Sequence, residues 1–278
     1  MNLVRVAVTP VSMRPASLKQ RKARVLRAIG AAADAGARLV CFPEYVDVQR
    51  TREAMALPDR PHRRLAEAFP GGPFTAAVRE ACARRRIGAL YGICAWQGRK
   101  LLNLTVSVGR DGEILGAYAK THLAPDEGPE GGIAAGGKIA PLRTVAGLAG
   151  VITCYEVNFP EIARTHRALG ARFFVVPTAG NSELFVTLAR ARAAENCMPL
   201  IFSSYSFAPG MPARGAGAAV VDAFGRVLAQ TARGTRVLAA EIDLDGPVRS
   251  PHWHGRGRKV DLREFLWKRR RKELYARA

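Results

Sequence analysis

The sequence predicts a layered α/β domain with mixed sheets. Short apolar strands alternate with amphipathic helices, and several strand pairs flank tight turn signals. No linker, repeat or composition break interrupts the chain before a basic tail, so residues 1–248 are expected to form one domain. Residues 249–278 are expected to pack on that domain or on a partner subunit. The 278 residues are 48% hydrophobic and 24% charged, which excludes a disordered polymer, a collagen and a coiled coil.

Leu3–Val8 is an apolar run broken by Thr9-Pro10, and Ser17 is placed to cap a helix over Leu18–Ala35. In that helix Val25, Leu26, Ile29 and Ala33 recur at helical spacing, and Gly36 ends it. Arg38–Phe42 follows as a strand, then a helix over Thr75–Arg86 feeds a strand over Ile87–Cys94. Leu101–Val108 and Glu113–Tyr118 form a hairpin around Arg110-Asp111-Gly112. Ile139–Thr144 and Gly150–Cys154 are strands, and Pro160–Leu169 is a helix with proline in its first turn. Arg172–Val176, a helix over Glu183–Asn196, and Leu200–Tyr205 continue the alternation. Ala216–Val221 and Val227–Gln230 flank the turn Asp222-Ala223-Phe224-Gly225, and Val237–Ile242 closes the series.

Lysine and arginine number 43 against 23 acids, a formal charge of +20. Residues 249–278 alone hold eleven bases and three acids, and the rest of the excess is spread over helices. Such a tail can bind a phosphate backbone without reading sequence. No RNA-recognition signature, zinc-finger spacing or basic-plus-heptad segment accompanies it, so a solvated face is expected rather than a nucleic-acid partner. No apolar run approaches the ~20 residues of a membrane span. The start Met1–Val8 lacks the features of a secretory leader, and Cys41, Cys82, Cys94, Cys154 and Cys197 include no C-x-x-C pair. The expectation is a cytoplasmic protein without a disulfide framework or zinc site.

Three polar residues stand at the C-terminal ends of apolar strands, where open α/β sheets place their active sites. Glu44 follows Leu39–Pro43, Lys120 follows Ile114–Ala119, and Cys154 follows Gly150–Thr153. A free thiol is mostly protonated at neutral pH, so a nucleophilic cysteine needs a base and a nearby cation. Each of the three alone has a commoner reading: a solvated loop acid, a surface lysine and a small buried cysteine.

The flanking residues carry a resemblance. Cys41-Phe42-Pro43-Glu44, Tyr118-Ala119-Lys120-Thr121-His122-Leu123 and Cys154-Tyr155-Glu156-Val157-Asn158-Phe159-Pro160-Glu161 are similar, in order and spacing, to the three motifs of the carbon–nitrogen hydrolase superfamily, the nitrilase-type amidases. Leu102-Asn103, Ala191–Asn196 and Val221–Gly225 add to the likeness, which runs from Leu3 to about Asp243. The resemblance implies a four-layer α-β-β-α sandwich and a catalytic Glu44, Lys120 and Cys154. Glu44 would be the proton carrier, and Lys120 the ammonium that favours the thiolate and steadies the oxyanion. The backbone N–H of Tyr155 would be a further donor to substrate. It implies hydrolysis of a small-molecule amide through a thioester, with no metal or organic cofactor. It also implies a homodimer or larger homo-oligomer, formed through Pro160–Leu169, Glu183–Asn196 and the tail.

Members of that family carry a second glutamate between the lysine and a glycine-rich loop. Counting back from Gly136-Gly137 favours Glu130 as the substrate-positioning residue, and counting forward from Lys120 favours Glu127; Glu130 is taken here. Glu156, two residues past the cysteine, is expected to be structural. Asn158 stands where many amidases have arginine, and the loop 131–137 lacks an aromatic residue. Nitrile or N-carbamoyl hydrolysis would use the same three residues. A non-catalytic basic scaffold is the reading from another class, and a papain-like pairing of Cys154 with His166 is a third. His252 and His254 in a Gly/Arg-rich stretch read as packing residues rather than a metal pair.

Overall fold

The computed structural model describes residues 2–12, 16–48, 61–129, 131–180, 182–206, 217–231, 236–249 and 260–274. The first half contains β1 (Leu3–Val8), β2 (Val11–Ser12), α1 (Leu18–Asp34), β3 (Leu39–Cys41), α2 (Pro61–Leu65), β4 (Glu67–Ala68) and α3 (Pro73–Arg85). The long strands β5 (Gly88–Gln97) and β6 (Lys100–Val108) lead to β7 (Ile114–Ala119). The second half runs β8 (Leu142–Thr144), β9 (Gly147–Val151), a 3-10 turn over Cys154–Asn158, α4 (Pro160–Ala168), β10 (Phe173–Pro177) and α5 (Glu183–Asn196). It ends with β11 (Leu200–Ser203), β12 (Tyr205–Ser206), β13 (Ala218–Val221), β14 (Val227–Thr231), β15 (Leu238–Asp243) and α6 (Leu262–Lys268).

Two mixed sheets result. One has the order β15-β1-β3-β5-β6-β7, with β4 also on β5; the other runs β14-β13-β11-β10-β9-β8. The central pairs β1–β3, β3–β5, β9–β10 and β10–β11 are parallel, and the outer ones are antiparallel hairpins and returns. The short β2 and β12 pair with each other and tie the two halves together.

The buried residues sort into the four layers expected from the resemblance. Val25, Ile29 and Ala32 of α1 and Phe74, Val78 and Ala81 of α3 pack on Val40, Ala89 and Val106 of the first sheet. Val4, Val6 and Leu39 face Val151, Phe173, Ile201 and Val220 between the sheets. Ile162 and Ala163 of α4 and Ala189 and Ala193 of α5 cover Phe174, Val176 and Phe202 on the far side. Each fully buried Val or Ile stabilises this stack by on the order of 2 kcal/mol.

Local chemistry sets the helix ends. Ser17 and Gln20 form a capping box at the start of α1. The Glu67 carboxylate takes the Phe74 and Thr75 N–H groups at 2.6 and 3.0 Å, which begins α3 behind Pro73. Several strands differ from expectation in their bounds. Leu200–Tyr205 splits, because Tyr205 leaves β11 to pair with Val11. The strand expected over Ile139–Thr144 shortens to Leu142–Thr144. The one expected over Gly150–Cys154 ends at Val151, because the Glu156 carboxylate accepts the Thr153 N–H at 2.7 Å and turns the chain. In the basic tail, α6 lays Leu262 and Leu266 on Cys197, Val248 and Phe224. The Trp267 ring there meets the guanidiniums of Arg167 and Arg270. Among the described residues no helix is long and apolar enough to cross a membrane.

Candidate active site

Glu44 sits in the turn after β3 and is fully buried. Two neighbours hold its backbone. Val46 N–H donates to Gly92 at 2.9 Å and Gly92 N–H donates to Pro43 at 3.1 Å, a close approach that only glycine permits, since a Cβ at 92 would lie 2.6 Å from Glu44 Cα. The Tyr205 hydroxyl lies 2.8 Å from both the Glu44 and Tyr45 carbonyl oxygens.

Lys120 follows directly on β7, 1% exposed, with its N–H donating to Asn103 O at 3.0 Å and its carbonyl accepting from Gly136 N at 2.8 Å. A side chain at Gly136 would run into the Ala119 carbonyl, so the glycine-rich loop can close over the lysine only as it stands. The Lys120 ammonium lies 3.0 Å from Glu44 Oε1 and 2.6 Å from Glu127 Oε2. Burial alone would push its proton affinity down. The negative charges of Glu44 and Glu127 outweigh that and hold it above the ordinary lysine range.

Glu127 is the second glutamate at this site. Its carboxylate takes the Tyr45 hydroxyl at 2.5 Å, the Asn103 amide at 2.9 Å and the Ala124 N–H at 2.6 Å, as well as the lysine. Glu130, the substrate-positioning candidate counted back from Gly136-Gly137, lies outside the described residues.

Cys154 opens the 3-10 turn with φ of +49°, a left-handed conformation uncommon for a non-glycine residue. Glu156 holds that turn. Its carboxylate accepts Thr153 N–H, the Tyr118 hydroxyl at 2.7 Å, and the Thr121 N–H and hydroxyl at 2.8 and 2.7 Å, a structural role as the sequence suggested. The thiol is pushed up to about 11, by burial first and then by the Glu44 charge; Lys120 and a hydrogen bond with the Thr178 side chain pull the other way without prevailing. The same loop after β10 gives Ala179 N–H to Glu44 Oε2 at 2.9 Å. Glu44, Lys120 and Cys154 thus act on one another electrostatically, though 110 positions separate the first from the last.

The Tyr155 N–H lies in the first turn beside the sulfur, and no acceptor takes it among the described residues. The Tyr155 ring meets Phe159 edge-on at 5.5 Å, and the His122 ring lies tilted against it at 4.7 Å. Asn158 donates to the Tyr155 carbonyl at 2.8 Å. His166 is fully buried with Nε2 on the Val151 carbonyl at 2.7 Å and Nδ1 unbonded, so it serves the core and forms no pair with Cys154. His252 and His254 lie outside the described residues. Sequence reasoning gave no site role to Asn103, Tyr45, Thr178 or Tyr205. Asn103 carried a signal, a lone amide inside the apolar run Leu101–Val108.

A family model for carbon-nitrogen hydrolases matches residues 5–247. The chain is similar to a chloroplastic omega-amidase of Arabidopsis thaliana, 29% identical over 81% of this chain and 64% of that protein. It is also similar to a deaminated glutathione amidase of Mus musculus, 29% identical over 77% of this chain and 70% of the relative. A solved carbon–nitrogen hydrolase of Helicobacter pylori shares the fold with a TM-score of 0.78, covering 99% of this chain and 97% of that one at 19% identity.

Proposed function

The chain belongs to the carbon–nitrogen hydrolase family, and from that premise we propose that it hydrolyses a small non-peptide amide through a thioester on Cys154. The observation that carries the reading is the buried Glu44–Lys120 ion pair at 3.0 Å, with the half-buried Cys154 within electrostatic reach of both. A thiol pushed up to about 11 holds little thiolate at neutral pH, so attack requires a base at hand. Glu44 takes the thiol proton as the sulfur adds to the amide carbon. Lys120 cannot share that work, because the surrounding negative charges keep it an ammonium. It steadies the oxyanion instead, with the Tyr155 N–H as second donor.

Glu44 then returns the proton to the leaving nitrogen, the C–N bond breaks, and ammonia or an amine departs from the acyl-cysteine. Water enters, Glu44 accepts its proton, and the hydroxide oxygen displaces sulfur to give a carboxylic acid and the restored thiol. Glu127 holds Lys120 from the other side. The excess of positive charge supports a carboxylate-bearing amide as substrate. Exposed Leu169 and Leu184, at the ends of α4 and α5, support self-association across those helices, and the reading fits a cytoplasmic homodimer.

The test is ammonia release from a panel of short aliphatic amides, neutral and acidic, by wild type, Cys154→Ala and Glu44→Gln. Wild type is expected to release ammonia and both variants to lose at least about a thousandfold. A Cys154→Ala protein as fast as wild type would overturn the assignment.

A further inference from the structure

Asn103 lies in β6 among Leu101, Leu102, Leu104 and Val106, 1% exposed. Its Nδ2 donates to Glu44 Oε1 at 2.7 Å and to Glu127 Oε1 at 2.9 Å, so both amide protons are spent on carboxylates. The bridge fixes the amide's orientation, since the reverse would aim Oδ1 at two anions. Oδ1 is left buried without a partner, which is unfavourable for folding. The strand does not need the amide. Pairing with Cys94 and with Lys120 N–H uses the Asn103 backbone, and the neighbouring positions hold leucine.

We infer that Asn103 is a positioning residue of the reaction: its amide ties Glu44 to Glu127 and sets how tightly the carboxylate pair holds a proton. The inference rests on the reading of Glu44 as the base. One ammonium, Lys120, is shared by two buried carboxylates, and the Asn103 amide is a further donor that both accept. A second cation there would leave Glu44 too weak a base to deprotonate the thiol. A neutral amide holds the carboxylates in place without adding charge. The other titratable groups facing the pair are Cys154 from the 3-10 turn, Tyr45 from Glu44's own turn and Tyr205 from β12.

The test uses iodoacetamide, because alkylation needs the thiolate that forms when Glu44 takes the thiol proton. Alkylation of Cys154 in wild type, Asn103→Leu and Asn103→Asp is followed by peptide mapping from about pH 4 to about pH 9. Loss of the donor is expected to move the acid limb up by about one pH unit in Asn103→Leu, and further in Asn103→Asp, which adds a carboxylate. A purely structural asparagine would leave the limb in place, so an unshifted limb in an Asn103→Leu protein with a wild-type melt overturns the inference. Should that variant fail to fold, Asn103→Ser, too short to reach both carboxylates, carries the same two outcomes. Wild-type alkylation of Cys154 with no acid limb would instead overturn Glu44 as the base, and this inference with it.

Discussion

Lys120 Nζ stands 2.6 Å from Glu127 Oε2, with both side chains wholly shielded from water. At that burial, removing one partner costs more than the pair itself contributes, because the other charge is left unsolvated. Lys120 also serves Glu44, so the two partners are not equivalent. Lys120→Met strands two carboxylates and is expected to lower stability by about 3–5 kcal/mol. Glu127→Gln leaves the lysine its Glu44 contact and is expected to cost only about 1–3 kcal/mol. Ammonia release should fall in both variants and be lost in Lys120→Met. Urea unfolding measures the difference, and a Glu127→Gln protein less stable than Lys120→Met would contradict the shared-lysine geometry.

Gly92 makes the second prediction. Its missing side chain is what lets the turn carrying Glu44 lie directly on β5. In Gly92→Ala the new methyl meets backbone, not a flexible side-chain tip, so the turn itself must shift. Displacing a catalytic carboxylate by even a fraction of an ångström reduces the fraction of reactive encounters. The expected result is a fall in kcat of at least about tenfold, with a stability loss of about 1–3 kcal/mol from overpacking. Steady-state kinetics on the best amide of the panel would show it, and an unchanged kcat would mean that Glu44 is held by other contacts.

Most strands and helices, and the strand-end placement of Glu44 and Lys120, were legible because each depends on local pattern or contiguous motif. What escaped depends on contacts between distant segments. The chain turns at Ile152 rather than running on to Cys154 because of a single carboxylate, Glu156, which apolar periodicity does not register. Glu127 reaches Lys120 through the fold of the loop after the lysine. Ala124 N–H and the Tyr45 hydroxyl, the latter 82 positions away from Glu127, draw that residue inward. In α6 the dense positive charge hid a short amphipathic helix, whose Trp267 is held by an arginine 100 positions earlier.

His166 makes the last prediction, one of acid sensitivity. Burial beneath β9 pushes its imidazole down to about 4, from an ordinary value of 6.5, with the hydrogen bond to Val151 O opposing only in part. The Tyr118 ring packs edge-on at 5.6 Å, and neither contact offers a charged partner. Above pH 6.5 both the folded and the unfolded chain hold this histidine neutral, and its titration changes nothing. Between 6.5 and about 4 the unfolded chain binds a proton that the folded one refuses, so stability falls as pH falls. The loss reaches roughly 3 kcal/mol at the lower end. His166→Gln keeps a donor for Val151 but cannot titrate. Urea unfolding at about pH 7 and about pH 4.5 should therefore show a smaller acid-induced drop in the variant than in wild type. Equal drops in the two proteins would mean that the imidazole is protonated in the folded state and that its burial is less complete than its contacts indicate.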